Sequence, residues 1–120
     1  MVLLFVVLQT IIVFAEPYDD ALSAYNRGDY TTALQIWRPL ADQGDADAQV
    51  SLGYMYYIGH GVPQDYVQAY MWCDLVASRF TAEEKAIRDK AVSVRDLIAA
   101  KMTPAQIAEA QKLAREWKPK

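Results

Sequence analysis

The 120-residue chain has room for one domain, with 53% hydrophobic and 22% charged residues. Its formal charge of −3 gives no basic surplus to hold nucleic acid, and no stretch has the low complexity of a disordered tail. A single cysteine, Cys73, excludes an intramolecular disulfide framework, so the fold must hold together by packing.

Residues 1–15, MVLLFVVLQTIIVFA, carry no charge. The run is shorter than the roughly 20 residues that span a bilayer. It ends on the small Ala15, and the polar Glu16-Pro17-Tyr18-Asp19-Asp20 follows. That pattern predicts a signal peptide cut near Ala15, releasing residues 16–120 as a periplasmic or secreted domain with no membrane span. No Lys or Arg precedes the apolar run, which leaves an uncut N-terminal anchor as the alternative.

Spacing and capping signals predict helices over 18–27, 30–43, 46–58, 64–78, 82–100 and 104–117. No stretch alternates with the period of two that a half-buried strand needs. Pro39 falls inside the second helix and is expected to bend it or shorten its start. In Gly44-Asp45-Ala46-Asp47 the two carboxylates lack the further ligands of a calcium loop. They read instead as a cap and a first-turn charge for the third helix.

Ala48, Leu52 and Tyr56 then recur every fourth residue, on one helical face. The segment Ile58-Gly59-His60-Gly61-Val62-Pro63-Gln64 has two glycines around the only histidine. It lacks the spacing of a phosphate-binding loop, and one His with one Cys is too few for zinc. It reads as a corner, with Val62 turned to the core and His60 exposed at the bend.

Tyr66, Ala69, Tyr70, Cys73 and Ala77 share the next face. Cys73 therefore reads as a small buried hydrophobe, with intermolecular pairing as its alternative. Thr81-Ala82-Glu83-Glu84 and Thr103-Pro104-Ala105-Gln106 have the form of capping boxes. Ile107, Ala110, Ala114 and Trp117 make one face of the last helix. Of the tryptophans, Trp37 and Trp72 are expected in the core and Trp117 partly free.

The chain also repeats itself. Asp29, Tyr30 and Ala33 recur as Asp65, Tyr66 and Ala69, and Ala41 recurs as Ala77, always 36 positions on. A period of that length with helical spacing predicts an all-α fold, a short right-handed αα-superhelix of stacked helix hairpins.

Residues 48–77, AQVSLGYMYYIGHGVPQDYVQAYMWCDLVA, resemble the Sel-one-like repeat family, a relative of the tetratricopeptide repeat. The family's pattern falls on Ala48, Leu52, Gly53, Tyr56, Gly59, Gly61, Val62, Asp65, Ala69, Trp72 and Ala77. One repeat is complete, at about 45–80. Residues 81–117 depart from the pattern and read as a divergent hairpin that closes the stack.

The resemblance implies a protein–protein interaction module without enzymatic activity, catalytic residues, cofactor or metal. With the leader, it implies an adaptor of the bacterial envelope that holds a peptide or protein on its concave helix face. The alternative is a binder or hydrolase of cell-wall material, though the chain has neither paired cysteines nor an S-x-x-K motif. A homodimer extending the stack is also expected as an option.

The candidate contact residues are Asp47, Val50, Tyr54 and Tyr57, at i, i+3, i+7 and i+10 on a stripe opposite Ala48, Leu52 and Tyr56. Tyrosines give a contact surface large apolar area with a polar handle. The competing reading packs this stripe on Ala21, Leu22 and Tyr25 of the first helix.

Charge is spread unevenly. Residues 16–80 hold nine acids and three bases, whereas residues 81–120 hold six acids and nine bases. The acidic part suits a basic partner, and a solvated helical surface accounts for it equally well.

Overall fold

The computed structural model describes residues 17–79 and 82–120. All regular structure among them is helical. Residues 17–26 form α1, followed by α2 (Tyr30–Gln43), α3 (Ala46–Ile58), α4 (Tyr66–Arg79), α5 (Lys85–Ala99) and α6 (Pro104–Glu116). A short 3-10 turn, Ala82–Glu84, precedes α5. The expected leader at 1–15 and its cleavage point lie outside the described residues, as does Thr81 of the first expected capping box.

Capping chemistry sets the boundaries. Asp29, Asp45 and Asp65 each accept a hydrogen bond from the backbone N–H three residues on, at 3.2, 2.9 and 3.1 Å. The 36-residue repeat is thus a repeated helix start. Asp29 and Asp65 are followed by Tyr30 and Tyr66, and by Ala33 and Ala69, both fully buried. At Thr103 the expected capping box forms in both directions, with Pro104 in the first turn.

Two expectations need correction. The helix predicted over 82–100 begins as the 3-10 turn, and α5 proper starts at Lys85 with no side-chain cap from Glu84. Pro39 does not shorten α2, which keeps its full predicted length. Pro39 cannot donate to the Gln35 carbonyl, and both residues are exposed, which leaves that carbonyl open to solvent.

The helices stack as an all-α solenoid. α2 lies on α3, α3 on α4, and α3 also on α5. Both α5 and α6 lie along α4, with little contact between them, so α4 rather than the closing hairpin itself holds the end of the stack. The main core gathers Trp37, Leu52, Met55, Trp72 and Ile98, and a smaller cluster joins Val50, Val76 and Ala91 where α3, α4 and α5 meet.

At the α3–α4 crossing stands Gly53, within the helix and fully packed. A Cβ built there would lie 2.9 Å from Cys73 Sγ, 3.1 Å from the Ala69 carbonyl oxygen and 3.4 Å from Trp72 Cβ. The missing side chain is what lets the two backbones approach.

A polar clamp lies one turn earlier. Buried Gln49 donates from Nε2 to the Ala41 carbonyl at 3.0 Å and accepts from Arg79 Nη2 at 2.9 Å. Arg79 also donates to the Gly44 carbonyl at 3.1 Å, so α4 holds the turn between α2 and α3. The C-terminal segment crosses the same place. The Arg79 guanidinium sits 5.1 Å from the centre of the Trp117 ring, and the Lys120 N–H donates to the Asp42 carbonyl at 2.8 Å. Trp117 is half-buried, its ring meeting that of Trp72 edge to face with centroids 6.3 Å apart.

Replacing Gly53 by Ala tests the crossing. Helix propensity alone favours Ala by about 1 kcal/mol, whereas overpacking a closed core costs about 1–3 kcal/mol. Cys73 is buried and Ala69 presents backbone, so neither can yield cheaply. Gly53→Ala is expected to destabilise the fold by about 1–2 kcal/mol in urea titration, against the usual sign for a helical glycine.

Candidate partner-binding face

The segment at 58–64 is a corner between α3 and α4. Gly59 and Gly61 adopt φ values of +84° and +75°, a region closed to most side chains, and Gly59 ends α3 with its N–H on the Met55 carbonyl. His60, expected to be exposed at the bend, is packed instead. Its ring stacks on Tyr30 with centroids 4.1 Å apart, and Nδ1 lies 3.0 Å from the Tyr25 hydroxyl. The corner folds back onto residues some 30 positions earlier and ties the repeat to the hairpin before it. Val62 is partly buried against the core, as expected.

Helices α1, α3 and α5 share one side of the stack, and a cleft of about 270 Å³ opens there. From α1 it is walled by Tyr18, Leu22 and Tyr25, and from α3 by Val50, Ser51 and Tyr54. α5 adds Lys90 and Val94, and Trp37 of α2 closes the back. The rings of Tyr18 and Tyr25 each lie 5.8 Å from that of Trp37. Burial pushes the Tyr18 phenol up, the carboxylates of Asp47, Asp45 and Asp19 push it the same way, and a 3.2 Å hydrogen bond with Ser51 opposes them. Burial likewise raises the Tyr25 phenol, with Tyr54 and Tyr30 adding to it.

The four candidate contact residues are placed differently from one another. Asp47 is exposed in the first turn of α3. Val50 is buried against Val76 and Ala91 and shows only its edge to the cleft. Tyr54 is 40% exposed across from Leu22 and Tyr25. Tyr57 is half-buried between the rings of Tyr54 and Tyr66, at 6.3 and 6.0 Å.

The stripe on α3 is therefore one wall of a surface that α1 and α5 complete. Sequence reasoning missed Leu22 as a contact residue, and also Lys90, Val94, Leu97 and Ile58. The signal was present: Lys90, Val94 and Leu97 stand at i, i+4 and i+7 on α5.

Among the described residues the large hydrophobics that remain exposed are Leu22, Tyr54, Ile58 and Leu97, at 38–60% exposure. All four lie on α1, α3 or α5. Elsewhere no group of three or more His, Cys, Asp and Glu side chains among the described residues is placed to hold a metal ion. Trp37 and Trp72 are buried, as expected, and their indole N–H groups have no hydrogen-bond partner among the described residues.

The fold and the repeat pattern define a class, and comparison with known proteins agrees. Residues 46–78 match the Sel1 repeat family. Among solved structures the chain is similar to a protective antigen present in uropathogenic Escherichia coli strains, which displays an SLR fold. The TM-score is 0.70 at 30% identity, over 86% of this chain and 22% of the antigen chain. The chain thus contains a Sel1 repeat at 46–78 and shares its fold with about a fifth of the antigen's length. No curated protein matches its sequence.

Cys73 is fully buried beside Gly53, and burial pushes its thiol up to about 12. The fold thus holds the neutral thiol. Its contribution to stability is whole below the unfolded value of about 8.5 and is lost as pH rises from there toward 12. Native protein at pH 8 is expected to resist a thiol reagent that reacts at once with protein unfolded in guanidinium. Rapid labelling of the native chain would show the α3–α4 crossing to be open.

Proposed function

We propose that the chain is an adaptor of the bacterial envelope that holds a peptide or protein partner on the face formed by α1, α3 and α5. Sel1 repeats mediate protein–protein interaction. The observation that carries the reading is the placement of Leu22, Tyr54, Ile58 and Leu97, the exposed large hydrophobics among the described residues, on those three helices, with Leu22 and Tyr54 lining the cleft. Apolar residues left in water on one face of an otherwise closed stack mark a contact surface. The uncharged run at 1–15 supports export of the domain. No helix among the described residues is long and apolar enough to cross a membrane.

The test is partner capture from an envelope extract by the wild type and by a triple variant, Leu22→Ser, Tyr54→Ser and Leu97→Ser. These side chains are at least 40% exposed, so the variant is expected to melt close to the wild type and to lose the captured protein. Retained capture by the folded variant would move the contact surface elsewhere.

A further inference from the structure

Resting on that reading, the chemistry of the cleft narrows the partner. At about 270 Å³ the cleft is smaller than the roughly 300 Å³ at which small-molecule sites begin. It suits one bulky side chain delivered on a longer chain. Its walls are rings and aliphatic groups, and the polar atoms on the α1 side are already engaged. The Tyr18 hydroxyl pairs with Ser51, and the Tyr25 hydroxyl with His60.

Charge is arranged across the cleft. Lys90 is the charged residue in its lining, and it makes no hydrogen bond or ion pair among the described residues. Two other cations of α5 are engaged: Lys85 pairs with Asp89, and Arg95 with Asp74 and Asp96. On the opposite side Asp47 stands on the stripe of Val50 and Tyr54, and Asp19 stands one turn before Leu22. Both are exposed. Both carboxylates help to raise the phenol of Tyr18, which lines the cleft. An apolar socket is thus flanked by a cation on one side and carboxylates on the other.

We propose that the cleft receives a single bulky apolar side chain from an extended segment of a partner protein. A carboxylate on one flank of that side chain pairs with Lys90, and a cation on the other faces Asp19 and Asp47. The apolar side chain supplies the burial, and the flanking charges supply discrimination.

Three fluorescein-labelled heptapeptides test this by anisotropy with the purified protein. Each has a central phenylalanine in glycine and serine, flanked by Asp and Lys, by Lys and Lys, or by Asp and Asp. The mixed-charge peptide is expected to bind about tenfold more tightly than either single-sign peptide, and to weaken as salt is added. Lys90→Glu, an exposed change expected to leave melting unaltered, is expected to make the Lys-flanked peptide the tightest. Replacing the central phenylalanine by alanine is expected to abolish binding.

Equal affinity for the three peptides, no binding by any, or an unchanged ranking with Lys90→Glu would overturn the proposal. So would self-association of the protein that Tyr54→Ser abolishes, since a second copy would then fill the cleft. None of these outcomes bears on partner capture by the wider face, which the triple variant tests separately.

Discussion

The second half of the stack rests on the crossing at Gly53. An ordinary side chain there would meet a sulfur, a carbonyl oxygen and a β-carbon of α4 at once. With hydrogen in its place, α3 settles onto Ala69, Trp72 and Cys73, and α4 becomes the axis of the molecule. α5 and α6 then rest on α4. Cys73 belongs to this contact as much as Gly53 does. Its sulfur fills the space that the glycine vacates, which makes it a packing atom with its reactivity suppressed by burial.

Much of the fold was legible in local signals because helix starts are local chemistry. Asp29, Asp45, Asp65 and Thr103 each bond a backbone N–H within their own turn, so four residues of sequence suffice to read them. The 3-10 entry to α5 was not legible in that way, since no side chain of Glu84 caps it. His60 was misjudged for the opposite reason. Its partners, Tyr25 and Tyr30, lie 35 and 30 positions earlier, and only stacking of the hairpins brings them together.

The binding face shows the same division. The stripe on α3 was visible as a spacing within one helix, and Tyr54 does stand at the cleft. Its opposite walls come from α1, about 30 residues earlier, and α5, about 40 residues later, outside any helical window. A repeat period tells which helices are equivalent. It does not tell which face of them stays uncovered, because that depends on how each hairpin lies on the next. Val50 illustrates the point: one turn from Tyr54 on the same stripe, it is sealed beneath α5 by Val76 and Ala91.

In a simple solenoid each repeat answers only to its neighbours, and the array can melt piecemeal from either end. The segment at 117–120 works against that. By bonding Asp42 and laying Trp117 beside the guanidinium of Arg79, it stitches the first hairpin to the far side of the last helix. Fraying of α6 then breaks the seal on the α2–α3 junction, and loosening of that junction frees the tail. The three hairpins are coupled into one cooperative unit, with a linear architecture but the all-or-none unfolding of a closed globule.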